Sequence, residues 1–138
     1  MAYCTVDDLV TRYGEREIIQ RTDRERTGEI DTDVAEQAIA DAGEEIDGFL
    51  QDGGYSVPID PVPYRIARTA CSLARYFLYD DGRPEPVQQE YDKAISFLER
   101  VARGTVKLSD EIKDGGSQQP AVSARTQVYG STFEEQYG

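Results

Sequence analysis

The chain carries 27 carboxylates and no histidine, and this limits the chemistry open to its 138 residues. Without imidazole there is no near-neutral general base and no histidine metal ligand. Neither a phosphate-cradling Walker loop nor a nucleophile-elbow sequence occurs. Paired carboxylates are the remaining route to acid–base work, and no spacing singles out a pair. The chain is therefore read as a non-enzyme with no cofactor. The nearest approach to a ligand motif is a weak calcium-like loop beginning at Asp23. Asp23, Glu25 and Thr27 fall at positions one, three and five, Gly28 at six, Glu29 at seven and Ile30 at eight. Position twelve, where such a loop needs a bidentate acid, is Val34. Arg24 and Arg26 lower the charge further, so a turn with solvated acids is the preferred reading and no metal site is assigned.

Cys4 and Cys71 are too few for a disulfide framework, and two free thiols in a cytosolic chain is the simpler reading. Cys71 lies on an apolar helix face and is read as core; Cys4 is assigned no environment. No apolar run approaches a membrane span, and Asp7 and Asp8 argue against a secretory signal. The length suits one domain with one core.

The formal net charge of −12 is unevenly spread. Residues 1–60 hold 16 acids and 5 bases, net −11, and residues 61–138 hold 11 acids and 10 bases, net −1. That balance argues against gripping nucleic-acid phosphates, which needs a basic footprint. Solubility or adaptation to a salty cell would also account for it.

The elements that must position these side chains are helical. Thr5 with Asp8 forms a capping-box variant for a first short helix ending at Gly14. A second runs from about Glu15 to Arg21, with Ile18 and Ile19 inward. The long helix Thr32–Asp52 places Val34, Ala38, Ala42, Ile46, Phe49 and Leu50 on one face. Its acids Asp33, Glu36, Asp41, Glu44, Asp47 and Asp52 fall on or toward the other, and no Lys or Arg occurs from Thr27 to Tyr64. Residues 54–63 are too proline-rich for helix and are read as an extended crossover. Pro63 opens a helix to about Asp80, with Ile66, Ala70, Leu73, Ala74, Phe77 and Leu78 inward. Arg65, Arg68, Ser72, Arg75, Tyr76 and Tyr79 lie opposite. A last long helix carries Val87, Tyr91, Ala94, Ile95, Leu98, Val101 and Ala102 inward and stops at Gly104. Thr105 to Leu108 reads as a short extended piece.

The expected fold is all-α, a small helical bundle with short N-terminal helices. It divides into a helical domain at 1–108, a flexible linker at 109–120 and a docking tail at 121–138. The Arg/Tyr face combines residue types favoured at protein interfaces. It would also suit stacking on nucleic acid, which the overall charge disfavours. The economical reading is that Glu36, Glu44 and Asp47 of one copy meet Arg65, Arg68, Arg75, Tyr76 and Tyr79 of another, head to tail. Intramolecular or solvent pairing competes with it, because surface ion pairs contribute only about 0–1 kcal/mol each. Tyr129 and Phe133 of the tail need a docking surface too, on the same subunit or a neighbour.

Taken in order, these segments resemble a known family. They are Tyr3-Cys4-Thr5-Val6-Asp7-Asp8-Leu9 with Arg12-Tyr13-Gly14, Ile19-Gln20-Arg21-Thr22-Asp23, Ala42 to Leu50 with Glu45-Ile46-Asp47, Tyr55-x-Val57-Pro58-Ile59-x-Pro61-Val62-Pro63, Ala74-Arg75-Tyr76-x-Leu78-Tyr79, Tyr91-x-x-Ala94-Ile95-x-Phe97-Leu98 and Ala102-Arg103-Gly104. The chain is similar over residues 3–108 to the phage Mu-type head–tail joining proteins of Mu-like prophages. The likeness is looser from Arg125 through Val128-Tyr129 to Phe133. It implies an all-helical connector subunit forming a homo-oligomeric ring, often dodecameric, beneath the portal protein. The other expected neighbour is a tail-completion or stopper protein. The ring would join the DNA-filled head to the tail, without enzyme activity, cofactor, membrane or sequence-specific nucleic-acid contact. Such a subunit would occupy the bacterial cytoplasm during assembly and then the virion. The acidic surface supports one alternative, a DNA mimic that inhibits a DNA-binding enzyme.

Overall fold

A computed structural model describes residues 2–79 and 82–108. Among the described residues it contains five helices and no strand. The order is α1 (Val6–Tyr13), α2 (Glu15–Thr22), α3 (Thr32–Asp52), α4 (Tyr64–Leu78) and α5 (Glu85–Ala102). Residues up to Val106 belong to one compact unit. The linker and tail expected at 109–138 lie outside the described residues, and with them Tyr129 and Phe133.

The helix boundaries follow from local chemistry. Asp8 N–H donates to Thr5 Oγ at 3.0 Å and Thr5 N–H donates to the Asp8 carboxylate at 3.0 Å, the reciprocal box expected for α1. Gly14 ends α1 and opens α2 at φ +95°, a conformation that favours glycine. Asp31 caps α3 by accepting from Asp33 N–H and Val34 N–H. Pro63 and Pro84 precede α4 and α5, where the missing amide hydrogen costs nothing. The 53–63 crossover is non-helical, with cis peptides at Val57–Pro58 and Asp60–Pro61. Where Thr105–Leu108 is expected to extend, Thr105 and Val106 bend and no strand forms.

The core is built where α3, α4 and α5 pack against one another, with α1 and α2 paired alongside. Leu9, Ile18, Ile46, Leu50, Ile66, Leu73 and Leu98 are fully buried, each worth about 1.5–3 kcal/mol of transfer free energy. Three stripes differ from expectation; on α5, Phe97 is buried while Tyr91, Ile95 and Ala102 are half-buried. On α3, Ala35, Ile39 and Gly43 are buried while Val34 and Phe49 are half-buried. On α4, the whole run from Thr69 to Ala74 is buried. A helix buried all round is central to its domain. α4 touches α1, α3 and α5, so part of its supposed outer face, Ser72 included, is also covered, while Arg65 and Arg68 stay exposed.

α3 meets α5 through bare backbone. A Cβ placed on Gly53 would lie 2.8 Å from the Val101 carbonyl oxygen and 3.3 Å from Ala102 Cα. Gly48 sits on the same helix with open space around it. Gly53→Ala is therefore expected to lower the unfolding free energy by about 1–3 kcal/mol. Gly48→Ala should raise it by about 0.5–1 kcal/mol. Urea titrations followed by far-ultraviolet circular dichroism measure both, and a neutral Gly53→Ala would refute the close approach.

Candidate functional site

The exposed acids of α3 form the first surface. Asp33, Glu36, Asp41, Glu44, Glu45 and Asp52 are all exposed. Gln37 donates to Asp41 at 3.0 Å, and no basic residue occupies the last turn of α3. Glu36 and Glu44 flank a cleft of about 450 Å³ whose wall also includes Ala2, Cys4, Val6 and Ile39. Asp47 is set apart. It accepts a hydrogen bond from Tyr3, whose hydroxyl in turn accepts from Ile59 N–H at 3.1 Å. Asp47 thus ties the chain's third residue and the proline crossover to α3.

The expected Arg/Tyr face of α4 divides in two. Its first half, Arg65 and Arg68, is exposed. Arg65 lies over the Phe97 ring at 4.2 Å. These two arginines, with Lys93 and Arg100 of α5, line a cleft of about 240 Å³ between α4 and α5. Glu90 also lines it, and its carboxylate is engaged below.

The second half of that face is covered by its own chain. Arg75 donates through Nε and Nη2 to the two oxygens of Glu17 at 2.7 and 3.1 Å. Its Nη1 donates to Glu90 at 2.9 Å. The guanidinium also lies over the Tyr13 ring at 4.3 Å. Tyr13 and Ser72 donate to the other Glu90 oxygen at 2.7 and 3.0 Å. One arginine therefore joins α1, α2, α4 and α5. Tyr76 stacks on Tyr91 at 3.7 Å, with Arg83 over its ring at 4.0 Å, and Tyr79 lies under Arg21 at 4.6 Å. Glu17, Glu90 and Tyr13 carry no sequence signal for this role, because their spacing reveals nothing about inter-helix pairing. Lys93, Phe97 and Arg100 were legible in principle, since steps of three and four place them on one face of α5.

The calcium-like loop is closed upon itself. Asp23 accepts from Thr27 N–H and Gly28 N–H at 2.8 and 2.7 Å and from the Thr27 hydroxyl at 3.0 Å. Those backbone donors hold its carboxyl below the usual range. Thr27 turns its hydroxyl onto Asp23, but the carboxylates of Asp23, Glu25 and Glu29 do not gather into a metal-sized group. Among the described residues, the convergent group with metal-ligand chemistry is Cys4, Asp8 and Cys71. No helix among the described residues is long and apolar enough to cross a membrane.

Among the described residues, five helices with exposed acids along α3 and a basic cleft between α4 and α5 define an all-α subunit. The chain matches the model of the family described as "Bacteriophage Mu, Gp36" over residues 3–127, and it belongs to that family. It is 32% identical over 106 residues to the Mu-like prophage FluMu protein gp36 of Haemophilus influenzae, covering 77% of this chain and 74% of that protein. It is 32% identical over 127 residues to gene product J of Escherichia phage Mu, covering 91% and 81%.

Two outcomes follow from this geometry. Arg75→Met leaves Glu17 and Glu90 partly buried without their cation, so it should destabilise by about 2–3 kcal/mol in urea unfolding. A loss below about 0.5 kcal/mol would show that the seam does not depend on it. The second outcome concerns alkaline pH. Burial, and then the hydrogen bond to Asp47, push the Tyr3 phenol from 10.0 up to about 12, against the pull of Ile59 N–H. Burial and Glu90 push Tyr13 in the same direction. A raised folded-state pKa favours the neutral phenol, so this stability is complete below pH 10 and is lost as pH rises through about 12. Melting temperature should fall across that window, and Tyr3→Phe should flatten part of the slope.

Proposed function

We propose that this protein is a structural head–tail connector subunit of a Mu-like phage or prophage. It assembles as a homo-oligomeric ring, often dodecameric in the family pattern, between the portal protein and a tail-completion or stopper protein. It acts by binding, with no catalytic step, and resides in the host cytoplasm until it becomes part of the virion. One observation carries the reading: a single subunit holds both a cleft flanked by Glu36 and Glu44, with no basic residue in its wall, and a cleft with four basic side chains. Unlike patches that meet head to tail generate a ring when the rotation closes. Membership of the Mu Gp36 family supports the phage context.

The contact is narrower than the sequence alone suggests. Glu36 and Glu44 of one copy approach Arg65 and Arg68 of the next, with Lys93 and Arg100 beside them. Arg75, Tyr76, Tyr79 and Asp47 serve the subunit's own packing and act on the interface through it. Tyr129 and Phe133 remain candidates for docking on a neighbour.

The test is electron microscopy of lysates from a phage with this gene disrupted. Filled heads beside complete free tails are the expected result. Intact virions that fail only in a restricting host would point to the DNA mimic instead. At residue level, the double substitution Arg65→Glu with Arg68→Glu should abolish complementation while leaving the circular dichroism spectrum unchanged. Adding Glu36→Arg and Glu44→Arg should restore part of it. Undiminished complementation by the double variant would remove the proposed contact.

A further inference from the structure

Cys4 precedes α1 and Cys71 lies in the middle of α4, yet their Sγ atoms are 3.0 Å apart. Both residues are buried, at 2% and 1% exposure. Cysteines packed merely as small apolar residues need not bring their sulfurs together. Here two segments 67 positions apart converge sulfur on sulfur. The pair also has a polar rim. The Asp8 carboxylate, Cys4 Sγ and Cys71 Sγ all lie within 4.8 Å of one another. Cys4 forms part of the wall of the 450 Å³ cleft beside Glu36 and Glu44, so a small solute in the cleft approaches the pair from the Cys4 side, with Cys71 Sγ 3.0 Å behind.

We propose that Cys4 and Cys71 form an oxidation-sensitive dithiol that a peroxide converts into an intramolecular disulfide, fastening the N-terminal segment to α4. The sulfurs need close from 3.0 Å to only about 2.05 Å, a displacement that small side-chain rotations supply. The charge distribution favours Cys71 as the attacking sulfur. The Cys4 thiol hydrogen-bonds to Cys71, and Arg12 stands near, so the Cys71 thiol is held below its ordinary range while Cys4 stays protonated. The Cys71 thiolate attacks one peroxide oxygen. The O–O bond breaks, giving Cys71 sulfenic acid and, after protonation, one water. Cys4 sulfur then attacks Cys71 sulfur, and the S–O bond breaks. The departing hydroxide takes the Cys4 proton and leaves as a second water. Two thiols and one hydrogen peroxide become one disulfide and two waters.

A thiophilic metal is the competing occupant. A tetrahedral zinc with 2.3 Å bonds to sulfur needs its thiolates roughly 3.8 Å apart, wider than found here. The positive charge of Arg12 close to Cys71 also disfavours a cation there. The disulfide is therefore favoured.

The experiment uses the full chain, reduced, freed of reductant and exposed to hydrogen peroxide. The expected product is a monomer about two mass units lighter, with no titratable thiol in denaturant, and reversible by dithiothreitol. Peptide mapping should join Cys4 to Cys71. The melting temperature should rise by roughly 5–15 °C, because the cross-link constrains the unfolded chain. Cys71→Ala should instead gain oxygen at Cys4 or stay reduced, with no such rise. Two free thiols after treatment, separate oxygen adducts on both sulfurs, or a melting shift of the reduced protein by zinc alone would each overturn the proposal. The wild-type mass decides the matter even if the variant does not fold.

Discussion

The subunit depends on the neutralisation of two acids by one arginine. Arg75 holds Glu17 on one side and Glu90 on the other, with Tyr13 beneath its plane. Remove the cation and two carboxylates from different helices are left facing a half-buried seam. Charge in such a place must be compensated locally, because solvent reaches it poorly. A flat guanidinium can bind one carboxylate at both oxygens, reach a second and lie on a ring, which an ammonium group cannot do. The apolar core explains why α3, α4 and α5 stay together. The arginine explains why α1 and α2 have a definite place beside α4 and α5.

Much of the fold was legible because it is written in short-range signals. The Thr5–Asp8 box, the glycine after Tyr13, the acidic cap before Thr32 and the prolines before α4 and α5 each act within one helical turn. The span of α3 agrees with the expected Thr32–Asp52, which its apolar periodicity marked. What could not be read was which faces meet. The arginine–tyrosine side of α4 has the composition of a free surface, but half of it is internal. The amphipathic pattern marks one buried stripe. It does not reveal that a second layer of helices covers the other side through ion pairs and stacked rings. Ile39 and Phe97 are the milder form of the same limit, since burial follows the neighbours as well as the period.

The acids of α3 contrast with the arginine seam. Asp41 and Glu45 sit four residues apart, a like-charge spacing that destabilises a helix by about 0.2–0.5 kcal/mol. Asp52 stands in the last turn, where the helix dipole favours a cation. The fold therefore carries this negative surface at a small expense to its own stability. Such a surface suits recognition of a positive partner, a role that the basic cleft between α4 and α5 can supply from another copy.

The stacked rings at the α4–α5 seam also give the molecule an optical character. The chain has nine tyrosines and no tryptophan, so its near-ultraviolet spectrum is a tyrosine spectrum. Tyr76 and Tyr91 lie 3.7 Å apart and within 15° of parallel, close enough for their transitions to couple. Tyr76 belongs to α4 and Tyr91 to α5, so the coupled signal exists only while those helices are in register. The protein thus contains its own chromophoric gauge of one seam, separable from the far-ultraviolet measure of total helix.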